Sequence, residues 1–99
     1  MMDEIDDNLK ERIEKALKDK EIPNIHFNGF INSLGTGDVL IILERNGQPI
    51  AVLNTSYTVA KTLSQKLGGI MTVLEQKTGN TIMTVDEIKT KMGEPGDLK

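Results

Sequence analysis

The chain has no cysteine and no tryptophan. Without thiols there is no disulfide, no thiolate metal site and no thiol nucleophile, and such a composition suits a reducing compartment, so the cytoplasm is the expected location. Only three residues are aromatic, Phe27, Phe30 and Tyr57, which leaves any core to aliphatic side chains. Long apolar runs are missing as well. The longest, Val39 to Leu43, is far too short to span a bilayer, and Met1-Met2-Asp3-Glu4 opens acidic where a signal peptide opens basic. No membrane partner is expected. There is also no basic stripe: residues 1–21 hold eight acids against five bases, which accounts for the whole net charge of −3. Affinity for nucleic acid comes from Lys and Arg neutralising phosphates, so neither DNA nor RNA is an expected partner.

What is present reads as one small α+β domain. Ile5, Leu9, Ile13 and Leu17 recur every four residues among charges, which predicts an amphipathic helix over about 3–20 within an N-terminal segment 1–22, ended by Pro23. An α+β core over 25–83 follows. Ile25 to Asn32 alternates imperfectly and reads as a first strand with a bulge near Gly29. The next two strands, 39–45 and 48–54, flank Asn46-Gly47, the pair that accepts positive φ at both centres of a type I′ hairpin turn. These two strands are apolar on both faces: Val39, Ile41 and Leu43 point one way, Leu40 and Ile42 the other. Such a sheet needs two covers. Apolar positions then shift to helical spacing, with Val59, Ala60, Leu63, Leu67, Ile70, Met71 and Leu74 on one face, so a long helix over about 56–78 is expected to pack on the antiparallel three-stranded sheet. Asn54, Thr55 or Ser56 caps its start and Gly79 stops it. Thr81-Ile82-Met83 is a candidate fourth strand. Within the last segment, 84–99, Thr84-Val85-Asp86-Glu87 is a capping box for a short helix to about Met92, and the tail from Gly93 is expected to fray.

The stretch from about Phe27 to Ile82 resembles a widespread prokaryotic family of small proteins catalogued as a domain of unknown function. The resemblance is carried by Phe27-Asn28, Asp38-Val39-Leu40-Ile41, Val52-Leu53, Ser56-x-x-x-Ala60-Lys61-x-Leu63, Leu67, Leu74-Glu75 and Gly79, in the family's order and spacing. Two features depart from it. Tyr57 stands where the family usually has proline, and Gly68-Gly69 where it usually has polar helix formers. The resemblance implies the fold and no activity.

No constellation here amounts to a catalytic, metal or cofactor motif, so no enzyme activity is expected. His26, the only histidine, reads as a half-buried structural residue in preference to a triad with Ser33 or Ser56 and Asp38, because no nucleophile motif accompanies it. Gly35-x-Gly37 lacks the rest of a phosphate loop and reads as a turn. Asp3, Asp6 and Asp7 lack calcium-loop spacing and read as solvated first-turn charges. Asp38, Glu44 and Glu75 sit at element ends, where water keeps carboxylates ordinary.

The best candidate ligand site is the helix entrance Asn54-Thr55-Ser56 with Lys61, where short polar side chains, helix amides and a lysine suit an anion. Capping alone also explains these residues. For the sheet, the narrow N-terminal stripe covers only part of the second face, which makes a homo-oligomer, most simply a dimer, the expected state. Leu40, Ile42, Gly68 and Gly69 are its candidate interface, the glycines as a point of close helix approach or else of contact within the chain. Two functions follow: a non-enzymatic adaptor or inhibitor that binds another protein, or a binder that sequesters an anionic nucleotide-like molecule at a subunit interface, as compact phage-encoded anti-defence proteins do.

Overall fold

The computed structural model describes residues 2–93, and side chains over 7–93. The elements run α1 (Met2–Lys18), β1 (Gly29–Leu34), β2 (Asp38–Arg45), β3 (Gln48–Ser56), α2 (Tyr57–Thr78) and α3 (Val85–Met92). The fold is α+β, with one antiparallel three-stranded sheet in the order β1-β2-β3. The chain divides into two compact units, Met1–Ser33 with Leu40–Leu53, and Leu34–Val39 with Asn54–Lys99.

In the first unit the hairpin turn forms as its sequence dictates. Asn46 has φ 53° and Gly47 φ 83°, the two consecutive positive values of a type I′ turn. Asn28 holds that turn from outside: its Oδ1 accepts the Asn46 amide at 2.9 Å, and its Nδ2 donates to Asn46 Oδ1 at 2.9 Å. This explains why the first strand begins later than its alternation predicts. Residues 25–28 are tied partly by side chains, with Arg45 Nε donating to the His26 carbonyl at 3.0 Å, while the Asn28 amide donates to the Glu44 carbonyl at 3.0 Å and the strand itself starts at Gly29. Gly29 is the first strand residue instead of a bulge. A Cβ there would lie 3.6 Å from Glu44 Oε1, an ordinary contact, so the position does not demand glycine.

The N-terminal helix also stops earlier than Pro23 requires. Asp19 Oδ1 accepts the Glu21 amide at 3.0 Å, a local turn that competes with continuing the helix beyond Lys18. Leu9, Ile13 and Leu17 of its apolar stripe are all exposed, and the Ile5 side chain lies outside the described residues, as do those of Asp3 and Asp6. Its ion pair, Lys15 to Glu11 at 3.7 Å, is solvated on both sides and contributes little.

In the second unit, α2 starts and ends where expected. Ser56 is the N-cap, and Gly79, at φ 71° in the left-handed region, donates its amide to the Glu75 carbonyl. α3 opens on a complete capping box, Thr84 Oγ1 accepting from the Glu87 amide and Glu87 accepting from the Thr84 amide. The candidate fourth strand does not form. The Ile82 amide that would join a ladder donates instead to Glu75 Oε2 at 2.8 Å. Residues 94–99, most of the expected frayed tail, lie outside the described residues.

Burial is light among the described residues. Among the described residues Leu43 is the one buried hydrophobic side chain, at 6% exposure. It lies on the central strand, whose other apolar residues, Val39 to Ile42, are half-buried. No residue of α2 is buried.

Asn28→Ala removes both side-chain bonds to Asn46 and is expected to lower unfolding stability by about 1–2 kcal/mol in urea titration at fixed protein concentration. Asn28→Asp keeps the acceptor, loses the donor and is expected to fall between. Equal stability of Asn28→Ala and the parent would show that the turn holds itself.

Candidate functional site

The helix entrance is built by three neighbouring devices, all within the second unit. β3 runs straight into α2 without a loop, because Ser56 ends the strand in extended conformation (φ −67°, ψ 160°) and caps the helix at once. Its Oγ accepts the Val59 amide at 3.1 Å. Tyr57 takes the first helical position, where proline is favoured because the amide needs no helical partner. Its hydroxyl donates to the Gly35 carbonyl at 2.9 Å. That carbonyl belongs to the tight connection between β1 and β2, closed by the Gly35 amide bonding to the Asp38 carbonyl at 2.7 Å. A Cβ on Gly35 would overlap Asp38 Oδ1, the end of a side chain that can turn aside, and would press on the Asp38 carbonyl oxygen at 3.3 Å, so a larger residue here needs the turn to give slightly. The Gly35-x-Gly37 pair is thus a turn, as its incomplete motif predicts.

Within this corner Thr55 is half-buried, while Asn54, Ser56 and Lys61 are exposed. The Ser56 hydroxyl oxygen has a helix amide to serve, so capping accounts for that residue without a ligand. Lys61 is five residues past the cap, and its carbonyl accepts the Ser64 hydroxyl at 2.8 Å. The anion reading of Asn54, Thr55, Ser56 and Lys61 stays a proposal.

The other candidates separate. His26 is exposed and lies before β1, not half-buried on a strand. What it contributes is its carbonyl, which holds Arg45. Asp7 is exposed. Among the described residues no group of three or more His, Asp or Glu is placed to share a metal ion. An open depression on α3, lined by Asp86, Glu87, Thr90 and Lys91, belongs to the surface of a single helix and excludes no water. Gly68 and Gly69 lie in the unbroken run of α2, and a Cβ at either meets nothing within 4 Å. Close contact with another described residue of the chain therefore does not explain them.

Two residues whose importance alternation and spacing do not reveal are Asn28 and Glu75. Asn28 pins the hairpin, and Glu75 spans the end of α2, its carbonyl taking the Gly79 amide and its carboxylate the Ile82 amide. Both stand among the residues that carry the family resemblance, as do Ser56 and Gly79. The signal available in sequence was that resemblance, and the structure supplies a hydrogen-bonding reason for each of the four. No family model, no curated protein and no solved structure matches this chain.

Ser56→Ala is expected to cost about 1 kcal/mol of stability through loss of the cap. If the entrance takes an anion, a panel of nucleotides raises the melting temperature of the parent and Lys61→Ala abolishes the rise. A parent curve that no nucleotide shifts would reduce the corner to a cap.

Proposed function

We propose that this chain is a small non-enzymatic protein that associates with itself and, so assembled, binds another protein as an adaptor or inhibitor. The observation that carries the reading is surface. Scattered exposed apolar residues are normal on a protein, but a chain with one buried hydrophobic side chain among the described residues is not. Phe30 at 60% and Leu34 at 79% exposure, with Val52 and Leu53 on β3, offer apolar surface in addition to that of α2. Burial stabilises by about 25 cal/mol per Å², so covering this surface by association supplies what the interior of the chain does not. Among the described residues, no helix is long and apolar enough to cross a membrane, so a bilayer span does not account for it.

The kinship with the small prokaryotic family is part of the same reading and rests on the motif residues quoted above. The resemblance implies a fold and no activity.

Light scattering on the purified chain at micromolar concentration is expected to give a mass of at least twice 10.9 kDa. A monomer mass with a cooperative melt would overturn the reading.

A further inference from the structure

Asparagine is followed by glycine at two places in the chain, Asn28-Gly29 and Asn46-Gly47, and every other asparagine precedes Leu, Ile, Ser or Thr. Asn-Gly is the pair in which an asparagine side chain deamidates most readily, because glycine has no Cβ to shield its backbone nitrogen from the neighbouring carboxamide. Both asparagines belong to the first unit, and there they are bonded to each other. Which atoms meet follows from the backbone. The Asn46 amide donates to Asn28 at 2.9 Å, so the Asn28 atom it meets is Oδ1; Asn28 Nδ2 then faces Asn46, and what receives it at 2.9 Å is Asn46 Oδ1. One backbone donor orients both carboxamides.

We infer that Asn46 is a site of spontaneous deamidation gated by Asn28, so that the hairpin turn is altered covalently only in chains whose turn has opened. In that reaction the Gly47 nitrogen attacks Asn46 Cγ; the N–Cγ bond forms, the Cγ–Nδ2 bond breaks, and Nδ2 leaves as ammonia with the Gly47 amide proton. Water then opens the five-membered ring. Cleavage of the new N–Cγ bond gives aspartate, and cleavage of the original backbone C–N bond gives isoaspartate. Ring closure needs the Gly47 nitrogen and Asn46 Cβ on the same side of the Cα–C bond, whereas at φ 53°, in a type I′ turn, they stand nearly opposite. The closed turn therefore protects. Asn28 holds it closed from two directions, through the Asn46 backbone amide and through the Asn46 side chain. Asn28 is itself guarded, since both polar atoms of its side chain are engaged and its amide donates to the Glu44 carbonyl at 3.0 Å. The products are permanent. Isoaspartate carries the chain through an extra carbon, so the two-residue turn that sets the β2–β3 register cannot be rebuilt, and either product adds a negative charge to a chain already at −3. The hairpin thus keeps a record of its own opening.

The full-length parent, Asn28→Ala and Thr84→Ala are incubated in neutral buffer, the parent also in guanidinium chloride, and conversion at Asn46 is followed by peptide mass spectrometry with enzymatic methylation to count isoaspartate. Conversion is expected to be slow in the folded parent and fast in the unfolded one. In folded Asn28→Ala it is expected to run about 5–30 times faster than in the folded parent, the rise in opened turn that loss of the two bonds brings. Asn28→Asp keeps the acceptor for the Asn46 amide and is expected to fall between, which serves where Asn28→Ala does not fold. Thr84→Ala removes the cap of α3, in the second unit, and is expected to convert at the parent's rate. Acceleration in Thr84→Ala equal to that in Asn28→Ala would trace the effect to general loss of stability and overturn the gate. Parent rates in Asn28→Ala, or a folded parent converting as fast as the unfolded one, overturn it too, and an unfolded parent that does not convert at Asn46 overturns the site.

Discussion

The constraint on which this structure turns is a central strand that is apolar on both faces in a chain with too little else to cover it. β2 carries Val39 to Leu43 without a polar interruption, and a strand of that kind needs packing above and below the sheet. Ninety-nine residues are enough to form the covering elements, and they form: an amphipathic helix before the sheet and a long one after it. Yet only Leu43 is buried among the described residues, and the stripes of both helices stay open. Secondary structure is complete where burial is not. Local hydrogen bonding and capping set the first, while the second depends on how apolar faces far apart in the chain are brought together.

The polar side chains of this protein mostly serve the backbone. Asn28 secures a hairpin turn, Ser56 and Thr84 start helices, Glu75 fastens the segment after α2, and Tyr57 reaches back to the β1–β2 connection. Each answers an amide or carbonyl that an element end would otherwise leave to water.

Much of the fold was legible because its signals are local. Asn46-Gly47 dictates a turn type, Thr84 to Glu87 a reciprocal cap, and Gly79 a left-handed stop, all within a few residues. The first strand was placed too early because alternation over 25–28 does not register the side-chain bonds that link His26 to Arg45 and Asn28 to Asn46, nineteen and eighteen residues away. The fourth strand failed for a similar reason, since the Glu75 carboxylate takes the Ile82 amide from seven residues upstream. Of the candidate site, the cap at Ser56 was readable, whereas the Tyr57 to Gly35 bond depends on a pairing of distant segments that no spacing rule encodes. The exposure of His26 was hidden because it follows from where β1 begins.

Among the described residues Leu43 is the one buried hydrophobic side chain. If the chain associates with itself as proposed, folding and assembly merge into one bimolecular event, and the folded fraction follows the abundance of the chain by mass action. Dilution would then act as a denaturant, and dosage itself would become the switch.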